Sequence, residues 1–235
     1  MAIPVVRAVG TVASGLSVIT PGLPTGTVLN DILVLFVETG NEPLPAMTGW
    51  SNVGAGTVQQ AGGVVTALTI LWKRAGSSET APSVPDAGDH QIARIVGVSG
   101  CPTAGDPWDV TSYTTENVAD TSVSTPAITT LTADTLVFCA AGNGQDTATA
   151  QGPSTWTNAS LTSVTSRCND WTASGNGGGF SVMTGGKATA GAVSASTGTI
   201  TTANFKTLFT GALKSAVAAP APVWPPHRRG PNYRR

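Results

Sequence analysis

Short apolar and β-branched runs, each about the length of a strand and each bounded by turn-forming residues, recur along the whole chain. The clearest are Asp31 to Val37 (DILVLFV), Ala67 to Lys73 (ALTILWK), Gln91 to Val98 (QIARIVGV) and Asp134 to Ala140 (DTLVFCA). Runs of this kind predict β-strands. Gly40 to Pro45 (GNEPLP), Ala81 to Asp89 (APSVPDAGD) and Gly175 to Gly179 (GNGGG) lie between them. Their Gly, Pro and Asp content predicts loops, because proline cannot donate to a ladder and glycine weakens a strand interior. The pattern predicts many strands with few or no helices.

The two halves of the chain resemble each other. Asp31-Ile-Leu-Val-Leu-Phe36 matches Asp134-Thr-Leu-Val-Phe-Cys139 at an offset of 103, and Thr48-Gly-Trp50-Ser-Asn52 matches Ser154-Thr-Trp156-Thr-Asn158 at an offset of 106. A β-run ending in Lys follows in each half, Leu68 to Lys73 and Phe180 to Lys187, and then a final apolar run, Gln91 to Val98 and Phe205 to Leu213. A repeated four-element unit predicts an all-β fold, an antiparallel, jelly-roll-like β-sandwich made of two related halves, each sharing strands between both sheets. The equivalent positions of Trp50 and Trp156 predict a structural task, packing across the two halves. Each half alone would be a small β unit with exposed edges, which favours one domain over residues 1–215.

Composition narrows this further. Of 235 residues only 11% are charged, against 40% hydrophobic, with 28 Gly and 16 Pro. A soluble domain usually carries about 25% charged residues, so Thr, Ser, Gly and Asn must cover this surface, and they suit strands and turns. Surface-helix formers are too scarce for a helical bundle. The net charge is -1 and basic residues do not interleave with aromatics along the body, so nucleic acid is not an expected partner of the main domain. No run approaches the roughly 18 apolar residues of a membrane helix, so no membrane partner is expected. The N-terminus MAIPVVRAVG lacks a secretory pattern, which predicts synthesis in a cytoplasm.

The segment Ala216 to Arg235 (AVAAPAPVWPPHRRGPNYRR) differs from the rest. Its prolines favour an extended path, so residues 216–235 read as a C-terminal arm. Trp224, His227, Arg228, Arg229, Tyr233, Arg234 and Arg235 are its candidate interface and anchor residues.

Candidate chemistry is sparse, and no catalytic, cofactor-binding or metal-ligating residues are expected. Asp89-His90 opens the strand Gln91 to Val98 and could form an acid–base pair. Adjacent strand residues point to opposite faces, however, which favours a loop-to-strand hydrogen-bonding role instead. Gly185-Gly186-Lys187 fails the phosphate-loop pattern, since Ser181 stands where its first glycine belongs and Ala188 where Ser or Thr is required. Gly175 to Gly179 predicts a sharp bend and close backbone approach at a sheet edge. Cys101, Cys139 and Cys168 are widely spaced and predict buried free thiols. Asp106, Asp109, Asp120, Asp146 and Asp170 read as loop residues without the density of a calcium loop. The two histidines and dispersed cysteines form no zinc pattern. Asn158-Ala-Ser160 matches a glycosylation sequon but carries little weight without a secretory signal. Among the six tryptophans, Trp108 and Trp171 sit in loop-like contexts and are the candidate ligand or interface aromatics.

Several strings resemble tailed-bacteriophage virion structural proteins of the minor tail or capsid-decorating kind: Leu68-Thr-Ile-Leu-Trp-Lys-Arg74-Ala75, Gly88-Asp-His-Gln-Ile-Ala-Arg94 with Gly97-Val98, Trp156-Thr-Asn-Ala-Ser-Leu161, and Gly177-Gly-Gly-Phe180. The resemblance spans roughly residues 25–215, and its motifs concern packing and turns. It implies a non-enzymatic β-sandwich component of the virion, a capsid decoration or head-fibre protein, with a tail or adaptor component as the alternative. Its implied partners are capsid or other virion proteins and further copies of itself, a trimer being favoured.

Two other readings belong to different classes. A carbohydrate-binding host-attachment module would expose Trp108 or Trp171 beside polar loops and bind a surface glycan. A polysaccharide hydrolase would place two carboxylates about 5 to 9.5 Å apart in a cleft.

Overall fold

The structure is a computed structural model that describes residues 2–60, 66–153 and 155–216. Along the first half run β1 (Val5–Val9), β2 (Ala13–Gly15), β3 (Ile32–Gly40), β4 (Ser51–Gln59), β5 (Thr66–Arg74) and β6 (Gln91–Ser99). The second half holds β7 (Trp108–Ser124), β8 (Ile128–Thr130), β9 (Thr135–Asn143), β10 (Thr162–Thr172), β11 (Gly178–Lys187), β12 (Gly191–Val193) and β13 (Thr197–Leu213). Every predicted run is a strand, and the described residues contain no helix.

Two antiparallel sheets pack face to face. The first has the order β1-β6-β3-β5-β4, with β2 also paired to β6, and the second has the order β10-β11-β9-β13-β7. Written from the other end, the second becomes β7-β13-β9-β11-β10. The two orders are then the same, with β1 corresponding to β7, β3 to β9, β4 to β10, β5 to β11 and β6 to β13. The bridge Ile19↔Val84 in the first half has its counterpart in the β8–β12 pair of the second.

The repeat therefore extends to topology, but its strands are distributed differently from the expected sharing. Each half builds one whole sheet by itself. The physical reason is local pairing: β3 to β6 complete their ladders with one another before the chain crosses at Gly100 to Pro107 into the second sheet. The offset of 103 is also not a residue-by-residue equivalence. Ile32, Val34 and Phe36 face the other sheet, as do Leu136, Phe138 and Ala140, so β3 and β9 superpose only at an even offset.

Three apolar layers result. Between the sheets, Phe36, Leu68, Ile70 and Val96 meet Phe138, Phe180, Val182 and Phe209. Phe36 stands 6.0 Å from Phe138 and 6.1 Å from Phe180, measured between ring centroids. Burying each such side chain contributes roughly 1.5–3 kcal/mol. On the far side of the first sheet, Leu33, Leu35, Val37 and Ile95 are covered by Ile19, Leu44, Met47 and Val84 from connecting segments. On the far side of the second, Val137, Cys139, Ala141 and Met183 lie under Ile128, Trp156, Leu161 and Val193. Central strands covered on both faces explain why DILVLFV is apolar without alternation.

Trp50 and Trp156 thus pack on opposite outer faces, each against its own half, and do not bridge the halves as expected. The turn that carries each Trp lies over its own sheet, so neither indole can reach the central layer. All three cysteines are buried free thiols. Burial pushes Cys101 and Cys168 up to about 12 and raises Cys139 as well, which leaves them without thiolate character at neutral pH.

The pair β7–β13 is the longest ribbon, with 17 residues in each strand. Its distal part is polar and interrupted by register shifts between Thr199, Asn204 and Lys206. Lys206 is fully buried there. Its Nζ donates to Asp120 O at 3.0 Å, Asp120 Oδ1 at 3.0 Å and Asn204 O at 2.9 Å, and lies 3.2 Å from Glu116 Oε2. One ammonium group thereby satisfies the carbonyls that the bulges remove from the ladder.

Candidate functional site

A polar cluster occupies one end of the space between the sheets. Glu38 extends the inward-facing row Ile32, Val34, Phe36, and His90 precedes β6; both side chains are fully buried. His90 Nε2 lies 3.2 Å from Glu38 Oε2, and His90 Nδ1 lies 2.7 Å from Asp89 Oδ1. Thr66 Oγ1 donates to Glu38 Oε1 at 2.7 Å.

The second sheet closes this cluster with backbone. A Cβ at Gly178 would fall 2.6 Å from both Glu38 oxygens and from His90 Nε2, and one at Gly175 would fall 2.4 Å from Asp89 O. The Asn176 N–H donates to Asp89 Oδ2 at 3.2 Å. Gly175 and Gly177 have φ of +59° and +65°, so GNGGG makes the expected bend and close approach. The carboxylate–imidazole–carboxylate row joins the two halves.

Burial opposes protonation of His90, yet its bonds to Glu38 and Asp89 outweigh that effect and hold its pKa above the ordinary histidine value. Burial raises the Glu38 pKa above the usual carboxylate value, against the lowering effect of His90 and Thr66. Asp89 and His90 do cooperate, because His90 lies just outside the strand and Gly88, at φ +68°, turns Asp89 back towards it. The alternation rule that kept them apart holds only within a strand. The signal in the sequence for Glu38 is its place directly after the apolar run Ile32 to Val37, at the even spacing that continues the inward-facing row Ile32, Val34 and Phe36.

Trp108 and Trp171 are strand residues, at the start of β7 and near the end of β10, and not loop residues as expected. They are 6% and 7% exposed, which corrects the expectation of exposed stacking faces. Trp108 packs edge-on against Phe138 and Phe209, both at 6.1 Å, and Trp171 Nε1 donates to Asn143 Oδ1 at 3.3 Å. Both rings complete the sandwich. The arm residues Trp224, His227, Arg228, Arg229, Tyr233, Arg234 and Arg235 lie outside the described residues.

Four of the five aspartates named above, Asp106, Asp109, Asp120 and Asp170, are engaged structurally. Asp106 accepts from Trp108 N–H at 2.9 Å, and Asp109 accepts from Leu131 N–H at 2.6 Å. Asp170 holds Arg94 at 2.8 and 2.9 Å through its two oxygens, which links β10 of one sheet to β6 of the other. Asp109 and Asp120 lie within β7 and Asp170 within β10, which corrects their reading as loop residues. The sequon residue Asn158 is buried, with Nδ2 donating to Ser194 O at 2.7 Å and Ser196 Oγ at 2.8 Å. Two carboxylate pairs share a basic partner, Glu38/Asp89 around His90 and Glu116/Asp120 around Lys206. None of these four carboxylates lines the cavities described here.

Two surface features stand out among the described residues. Six of the eight large apolar side chains that are exposed among the described residues fall between positions 5 and 29: Val5, Val12, Leu16, Val18, Val28 and Leu29, each between 44% and 63% exposed. They lie on or next to β1 and β2, which form one edge of the first sheet. Arg7 ties the segment carrying Val28 and Leu29 to β1 through Asp31, at 2.6 and 3.0 Å.

The second surface is an open groove of about 420 Å³ on the outer side of the first sheet, lined by Met47, Trp50, Lys73, Thr80, Pro82 and Ser83 among others. The half-buried Trp50 offers part of its ring there beside Thr80 and Ser83.

Comparison with known proteins adds no relative: no family model matches the chain, and neither a curated protein nor a solved structure matches it.

Proposed function

We propose that this protein is a structural component of a tailed-phage virion, a capsid decoration or head-fibre protein that attaches to the particle through protein–protein contacts. The observation that carries the attachment reading is the concentration of exposed apolar side chains along the β1–β2 edge. Monomeric soluble proteins rarely leave such groups clustered unless a partner covers them. The phage assignment itself rests on the packing and turn motifs named above. Assembly in the host cytoplasm and final residence in the virion follow from the same reading.

Contact through side chains fits better than strand addition. The pairings of β1, β4, β7 and β10 all contain register shifts, which interrupt the regular edge that an added strand would need. The double substitution Leu16→Asp/Val18→Asp tests the proposal. Both side chains are exposed, so stability should change by no more than about 0.5 kcal/mol per site. Occupancy on particles, counted by reconstruction, should fall at least tenfold; full occupancy would refute the proposed surface.

A second reading is favoured by one feature, the groove at Trp50. An indole face with hydroxyl groups beside it is suited to a sugar ring, so a glycan-binding role would be carried by Trp50 rather than Trp108 or Trp171. Trp50→Ala should then abolish binding to host-surface glycans in a titration while leaving particle occupancy unchanged. Equal glycan binding by both forms would remove this reading.

A further inference from the structure

The two seams of the sandwich correspond, since β4 of one sheet faces β7 of the other and β1 faces β10, but they are not filled alike. At the β4–β7 seam, Tyr113 lies 4.8 Å from Phe209 and its hydroxyl donates to Val53 O at 2.6 Å. At the β1–β10 seam there is instead a cavity of about 210 Å³, whose wall includes Ile3, Val5, Val6, Leu136 and the half-buried Arg167. No aromatic residue contributes to this wall. One seam has a ring and the other has space for one.

The chain leaves the described body beside that space. Ala216 N–H donates to Gly100 O at 2.7 Å, Ser99 is paired with Val5, and a Cβ at Gly100 would lie 3.5 Å from the Cα of Pro4. Pro4 and Val5 are themselves part of the cavity wall. The next residues, VAAPAPVWPP, are apolar and contain one large side chain, Trp224. Eight residues of extended chain span about 25 Å, so Trp224 is within reach of the cavity even if the path is not straight.

We propose that residues 217–226 turn back along their own body and seat the Trp224 indole in the β1–β10 seam, where Tyr113 has no counterpart. The wall chemistry selects tryptophan. Ile3, Val6 and Leu136 supply an apolar floor, and Arg167 supplies a cation that attracts an indole face more strongly than other aromatic faces. Arg167 is held in place by its Nε donating to Thr184 Oγ1 at 2.8 Å. Proline on either side lowers the ordering cost of the segment. This fold-back is a property of the free chain and stands or falls separately from the virion reading.

The test is disulfide trapping in the full-length chain with Trp224 left in place. Ser163 is on the exposed rim of the cavity, so Val223→Cys is paired with Ser163→Cys, and a control pairs Val223→Cys with Ala192→Cys, the exposed residue of β12. Under mild oxidation the 163–223 pair should close within one chain at least tenfold faster than the control, and adding Trp224→Ala should bring it down to the control rate. Equal rates for the two pairs, no effect of Trp224→Ala, or closure found only between chains would each overturn the proposal. Hydrogen exchange needs no engineered cysteine: residues 3–6 and 162–167 should exchange faster in Trp224→Ala than in the native chain, and unchanged exchange would also overturn it.

Discussion

A histidine with a carboxylate on each ring nitrogen, in a space closed to water, holds its proton more firmly in the folded chain than in the unfolded one. For His90 the folded pKa therefore lies above the unfolded value near 6.5, and Glu38 shifts in the same direction from its own lower value. The His90 contribution to stability is therefore fully present below the unfolded histidine pKa and is lost as pH rises through the folded one, while that of Glu38 is present below its own unfolded value and is lost as pH rises through its raised folded one. The slope can reach about 1.4 kcal/mol per pH unit for one proton. Urea unfolding from pH 6 to 9 should show this decline, and His90→Gln should flatten it; an equal slope in the variant would contradict the assignment. Burial works against ionisation of Glu79, but its bonds from Lys73 and the Gly76 N–H outweigh that and lower its pKa, and Lys206 and Ser122 lower that of Asp120, so these two carboxylates give the opposite dependence at acidic pH. The sequence showed Asp89 and His90 but not their partner, because the contact with Glu38 spans 52 residues and depends on which strands are neighbours. Val12, Leu16, Val18, Val28 and Leu29 posed the converse difficulty: composition cannot distinguish an exposed valine or leucine from a core one.

Strand identity was readable because the burial of each strand is written in its residues. β3 and β9 are buried along their whole length, and their central residues, Ile32 to Val37 and Leu136 to Ala141, are apolar without alternation. β7 and β10 are edge strands with mostly polar, half-exposed residues, so the residues around Trp108 and Trp171 resemble loop sequence although both rings reach the core. Register shifts were also invisible, since a bulge depends on the partner strand as much as on its own sequence. The bulged ribbon of β7 and β13 makes a prediction at this scale. Lys206→Ala removes the shared donor to Asp120 and Asn204, so amide exchange over residues 116–124 and 199–206 should accelerate at least tenfold while exchange in β3 and β9 is unchanged. Uniform acceleration across all strands would show that Lys206 supports the whole fold rather than the ribbon.

The two sheets are sequence-local but share one apolar layer, so neither half can bury its inner face alone. Unfolding should therefore be a single transition, with tryptophan fluorescence and far-ultraviolet circular dichroism giving coincident curves in urea. Two separated transitions would mean that each half has enough support in its own outer layer. The repeated topology was legible as a repeat, whereas the allocation of one half to each sheet was not, because sequence similarity says nothing about which strands pair. Exchanging corresponding strands maps the β1–β10 seam onto the β4–β7 seam, which is the relation of two subunits about a dyad. Here the dyad is broken: one half carries a short apolar edge, the other a ribbon of 17-residue strands that is polar at its far end. A molecule built this way has a distinct front and back. Any contact that joined one of these features on one copy to the other on the next would run head to tail, giving a ring where the rotation closes and an open filament where it does not, rather than a symmetric pair.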